Sequence, residues 1–109
     1  MAGSSDGYRI LVDRLWPQGE SKEKAKIDWW FKDIAPSNEL REDFHHGIIS
    51  WADFEVRYES ELKANETAVR ELVDVIHRYA NITFLYASKN EVENNAALLK
   101  IYIEKKLGE

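Results

Sequence analysis

The stretch "YRILVDRLWPQG" (residues 8–19) decides how the rest of the chain is read. Its centre is β-branched and aliphatic without clean alternation, the pattern of a strand buried on both faces. Pro17 cannot donate to a ladder, so it stops the strand. Gly19 then permits a turn closed to other residues. A second run of the same kind, "NITFLYAS" (81–88), lies far along the chain. Two buried strands joined by helical segments imply parallel pairing with both faces of the sheet covered.

Between them the sequence reads as helices. Ser21 can cap a helix through "KEKAKIDWWFKD", although its apolar spacing is imperfect. Ser37 or Asn38 can cap a short one that pairs Leu40 with Phe44, with Gly47 as its stop. Ser50 opens a stronger helix over 50–63: Asp53 stands at the capping-box position, and Trp51, Phe54, Tyr58 and Leu62 form one stripe. Over 67–80, Val69, Leu72, Val73, Ile76 and Tyr79 share a face. A last helix is expected from about Glu91 to Lys106, burying Val92, Ala96, Leu99 and Ile103, with Lys105 and Lys106 at the end its dipole favours for cations. The expected fold is therefore α/β, a small parallel sheet core with strands near 8–16 and 81–88 covered by about five helices. Two strands are few for such a sheet, so a third is either unread or absent from the N-terminus.

Composition narrows the function. The chain has 109 residues, which fits one domain over 1–109, and 12% of them are aromatic. There is no cysteine, so a disulfide framework, a thiol nucleophile and a thiolate metal site are excluded, and a cytoplasmic setting is expected. The net charge of −5 argues against a nucleic-acid partner, and no apolar run approaches membrane-spanning length. No phosphate-loop, dinucleotide, nucleophile-elbow or zinc-helix motif is present, so no cofactor and no metal are expected.

In open α/β sheets, ligands bind beyond the carboxyl ends of the strands. Those ends carry Asp13, Arg14 and Trp16 from the first strand, and Tyr86, Ser88 and Lys89 from the second. Asn94 lies near the start of the last helix, where asparagine is a poor helix former and either caps or faces the same edge. Arg14, Lys89 and the helix end together suggest a small anionic metabolite bearing phosphate or carboxylate. Trp16 and Tyr86 would wall it. Asp13 would orient Arg14 or a ligand hydroxyl. The bland alternative is that Asp13 and Arg14 only pair with other segments, Trp16 only packs and Lys89 is a solvated loop residue. His45 and His46 are adjacent, which suits a shared metal badly, but either could serve as a general acid–base.

Taken together, "GYRILVDRLWPQG", "KDIAPSNELREDFHH", "FEVRYESEL" and "ITFLYASKNEVENNAALL" resemble the DUF488 family, in its YeaO-like branch. The resemblance runs from Gly7 to about Ile103, through several segments matching in order. The branch is uncharacterised, so the resemblance implies a small α/β domain more than an activity. Its pattern carries onto Arg9, Asp13, Arg14, Trp16, Pro17 and Gly19, then Lys32, Asp33, Pro36, Ser37, Leu40, Arg41, Phe44, His45 and His46, and further on to Phe54, Tyr58, Leu62, Tyr86, Ala87, Lys89 and Asn94. This chain departs from it at Gln18, Gly47, Asn90 and Glu93, where the family usually has arginine, aspartate, aspartate and often histidine. If the family carries out a reaction through those groups, this chain is expected to have lost or altered it, which puts catalysis in more doubt than binding. Family members also usually begin with a short strand, and a chain starting inside the following loop is expected to leave an unpaired edge open to homodimerisation.

Three readings follow. The first is a binder of a small anion at the strand ends. The second is a protein–protein interaction module with no small ligand, using the sheet edge or the aromatic faces around Trp29, Trp30 and Trp51. The third, a hydrolase or transferase, lacks a motif.

Overall fold

A computed structural model describes residues 7–16, 26–87, 90 and 92–108. Three strands, β1 (Tyr8–Leu11), β2 (Trp29–Trp30) and β3 (Ile82–Leu85), form one sheet in the order β2-β1-β3. Both pairings are parallel, with Ile10 opposite Trp29 and with Tyr8 and Leu11 opposite Ile82 and Leu85. Four α-helices accompany them among the described residues: α1 (Asn38–His45), α2 (Trp51–Ala64), α3 (Glu66–Arg78) and α4 (Asn95–Leu107). A 3-10 turn at Lys32–Ile34 takes the place of a fifth helix.

One strand unread in the sequence is internal. Trp29–Trp30 was expected inside a helix and instead pairs with β1. The reason lies in the imperfect helical spacing there and in the preference of large aromatics for a pleated surface. Asp28 N–H donates to Arg9 O at 2.9 Å, and the Asp28 carboxylate accepts from Arg9 N–H at 2.8 Å, which fixes the register. Trp29 stacks on Phe31 at 4.1 Å, two residues along and on the same face. The proposed cap Ser21, and the strand-ending Pro17 and Gly19, lie outside the described residues.

Strand lengths are also shorter than expected. β1 ends at Leu11, not at Trp16, although Val12 N–H still reaches Leu85 O at 3.1 Å. β1 is the central strand, and Ile10, Leu11 and Val12 are buried. β3 is an edge strand and only half-buried, so its apolar run does not signal burial on both faces.

Helix signals read more faithfully. Ser37 caps α1 by accepting from Leu40 N–H, and a full capping box of Ser50 and Asp53 opens α2. Phe54, Tyr58 and Leu62 are buried from α2, with Trp51 half-buried beside them. Val69 and Leu72 are buried from α3, but Tyr79 lies past its end and stacks on Tyr8 at 4.0 Å. α4 begins at Asn95, about a turn later than expected, because Asn94 is its cap. Val92 is consequently outside the helix and exposed, while Ala96, Leu99 and Ile103 are buried.

Candidate functional site at the strand ends

Parallel strands deliver their carboxyl ends to one edge of the sheet, and that edge is organised around Asp13. Two residues beyond the Leu11–Leu85 pair, the Asp13 carboxylate accepts from Ala87 N–H at 2.7 Å. Its other oxygen accepts from the Asn95 amide at 3.0 Å, and the same amide nitrogen donates to Val12 O at 2.9 Å. Trp30 Nε1 donates to Asp13 O at 2.8 Å. One residue thus ties the exits of β1 and β3, the start of α4 and Trp30 of β2. Burial pushes the Asp13 carboxyl above its ordinary range, against the opposing pull of the Ala87 and Asn95 hydrogen bonds and the nearby Arg41 charge.

Beside Asp13 lies an open cleft of about 720 Å³. Arg14 and Trp16 enter it from the β1 exit, Arg41, Phe44 and His45 from α1, Trp51 and Phe54 from α2, and Asn94 and Asn95 from the start of α4. The aromatic wall is pre-packed: Trp51 stacks on Phe54 at 5.1 Å and meets Phe44 at 5.5 Å. Trp16 is held edge-on to Trp30 at 5.0 Å.

The two arginines differ in kind. Arg14 Nε donates to Pro36 O at 3.1 Å and its terminal nitrogen to Ala35 O at 3.3 Å, so its guanidinium fastens β1's exit to the segment before α1. Arg41 Nε is buried without a hydrogen-bond partner among the described residues. Its guanidinium contacts the Glu42 carboxylate at a long 3.9 Å, half in solvent.

Of the residues singled out from sequence, the structure gathers Asp13, Arg14, Trp16, Asn94 and His45 around this cleft. Tyr86 faces a separate groove with Ile82 and Phe84, because it continues their side of β3. Asn94 is buried, with its oxygen accepting from Ala97 N–H at 2.8 Å and its amide donating to Asn90 O at 3.0 Å, so it acts as a cap. His46 closes α1 as its C-cap and does not line the cleft. Ser88 and Lys89 lie outside the described residues. Among the described residues, no three His, Cys, Asp or Glu side chains are grouped to hold a metal ion, and no helix is long and apolar enough to cross a membrane.

The sequence does not mark Arg41 or Asn95 as ligand-site residues, and it places Trp51 only in an aromatic face suited to a protein partner. The helical offsets from Arg41 to Phe44 and His45 do put all three on one side of α1. What was missing was the direction of that side, which depends on where α1 sits against the β1 exit.

Residues 1–109 match the family described as "Inactive DUF488-N3 subclade". The chain belongs to that subclade. It is 44% identical over 98 residues to the uncharacterized protein YeaO of Escherichia coli (strain K12), spanning 90% of this chain and 84% of that one. It is 39% identical over 94 residues to the uncharacterized protein Rv3073c of Mycobacterium tuberculosis (strain ATCC 25618 / H37Rv), spanning 86% of this chain and 78% of the relative. No solved structure matches the chain significantly.

Proposed function

We propose that the chain binds a small organic anion, phosphate- or carboxylate-bearing, in the cleft at its strand ends, and that it does so without catalysis, in a cytoplasmic setting. The observation that carries this reading is Arg41: its Nε is withdrawn from water and has no acceptor among the described residues. An unmade hydrogen bond of that kind costs ~1–3 kcal/mol. A ligand oxygen reaching the Arg41 fork as the side chain adjusts would supply the acceptor and satisfy the charge together. Phe44 and Trp51, packed at a tilt to one another, offer the apolar body of such a ligand a pre-formed aromatic wall. Arg14 holds the wall in place.

A binding role is favoured over a reaction on two grounds. Asp13, the carboxylate in the cleft, already accepts from Ala87 and Asn95 and would have to break that lattice to act on a substrate. The family description itself carries the word "inactive".

The test is a thermal-shift panel of inorganic phosphate, sugar phosphates, nucleotides and aromatic and aliphatic carboxylates, run on the wild type, Arg41→Ala and Arg14→Ala. A ligand at a hundred times its dissociation constant adds ~2.7 kcal/mol. Each kcal/mol is worth roughly 4–8 °C in a small domain. The expected result is a shift of several degrees in the wild type that disappears in Arg41→Ala. A shift that survives in Arg41→Ala, or no shift across the panel, overturns the reading.

A further inference from the structure

On the side chain surface between α2 and α4, away from the cleft, lies a shallow groove of about 250 Å³. Val56 projects from the α2 side, 67% exposed, and Ile101 from the α4 side, 52% exposed. Leu98 extends the apolar strip along α4. Exposed apolar side chains scattered singly need no explanation, but these share one groove. The charges flanking it are segregated. Glu55 and Glu59, one helical turn apart, line the α2 bank, and Lys105, one turn beyond Ile101, lines the α4 bank. Glu59 contacts Lys63 at 3.6 Å in the open, a weak surface pair, and Lys105 makes no ion pair among the described residues.

An apolar strip with an acidic bank on one side and a basic bank on the other is complementary to itself. We propose that this face is the interface of a two-fold homodimer, with α2 of each copy seated on α4 of the other. In a face-to-face pair, a two-fold axis running along the groove carries the α2 bank of one copy over the α4 bank of its partner. Val56 then meets Ile101 across the interface, twice, and Glu59 faces Lys105, twice. An axis running across the groove would set α2 on α2 and acid on acid, so the charges select the first arrangement. A standard specific interface takes about 800 Å² per partner, and the chain exposes 7229 Å² in all. The face therefore needs only about a tenth of the surface, and an apolar centre with charged margins is the usual anatomy of such a patch.

Sedimentation equilibrium of the full chain, at low and high salt, tests this. The expected mass is twice the 12.7 kDa of one chain, with weaker association at high salt. Glu59→Lys and Lys105→Glu should each raise the dissociation constant by at least about tenfold, since each sets like charges against one another at both symmetry-related contacts. Mixing the two variants should restore the dimer, because each then meets the opposite charge in its partner. Both positions in these tests are on exposed helix surface, and circular dichroism verifies that the variants fold. A monomer at every concentration overturns the proposal. So does a dimer indifferent to both reversals, or one that mixing fails to restore.

Discussion

Asp13 and Asn95 stand 82 positions apart in the sequence and meet through a 3.0 Å hydrogen bond at the exit of the central strand. The contact joins the first strand to the last helix, and Ala87 N–H on the other carboxylate oxygen joins both to the edge strand. Because burial raises the Asp13 pKa in the folded state, folding favours the protonated form. The associated stability is fully present below the unfolded-state value and is lost as pH rises through the folded one. Asp13→Asn stays neutral throughout and offers one acceptor where the carboxyl group has two oxygens. The wild type should therefore be the more stable at low pH, and its advantage over Asp13→Asn should narrow as pH rises. Urea midpoints of both proteins at about pH 4 and about pH 7 check this; an advantage that widens with pH contradicts it.

The alkaline limb should belong to Tyr58. Its hydroxyl is buried and donates to Ile34 O at 2.7 Å, tying α2 to the 3-10 turn. Burial, reinforced by the Glu61 charge, pushes its pKa far above 10.0. The Tyr58 contribution is complete below about pH 10 and declines once unfolded tyrosine begins to ionise. Tyr58→Phe leaves the Ile34 carbonyl without its donor and should cost ~1–3 kcal/mol at neutral pH. It should also flatten the loss of stability above about pH 10. Denaturant unfolding of the two proteins across that range measures both effects.

Glycine supplies a paired comparison. Gly7 and Gly47 both have positive φ, +67° and +72°. A Cβ at Gly7 would run into Asn81 O and Cβ, where the chain enters β1 alongside the start of β3. A Cβ at Gly47 meets nothing within 4 Å. Gly47→Ala should thus cost only the left-handed backbone penalty, ~1–2 kcal/mol. Gly7→Ala must add to that a displacement of the strand entry and should be clearly the more destabilising. Equal midpoints for the two variants would mean that the Asn81 approach is readily relaxed.

How much of this was legible in advance depends on range. Helix α2 was readable because Ser50, Asp53 and the stripe from Trp51 to Leu62 are all local signals, and local signals suffice for a helix. Parallel pairing of β1 with β3 was readable because two apolar runs with helices between them leave few topologies. Strand β2 was not: two tryptophans in a charged segment have no period, and only the open side of β1 makes them a strand. Likewise Arg14 and Arg41 look alike in sequence. Which one is engaged by main-chain carbonyls depends on where Ala35 and Pro36 pass, a long-range fact that no window of sequence contains.

That distinction gives the sharpest expectation for the cleft. Arg14→Ala removes the donors to Pro36 O and Ala35 O, contacts that fasten two segments more than 20 positions apart. It should cost stability, about 1–3 kcal/mol for carbonyls left without a donor. Arg41→Ala removes a guanidinium whose Nε has no partner and whose ion contact is long and solvated, so its thermal cost should be small, within about 1 kcal/mol. The ligand response should sort the other way. Arg14→Ala should keep its shift, measured from its own lower midpoint, while Arg41→Ala should lose it. If instead Arg41→Ala is the destabilising change and Arg14→Ala abolishes the ligand shift, the two arginines have been assigned each other's work, and the anion is held at the β1 exit, not by α1.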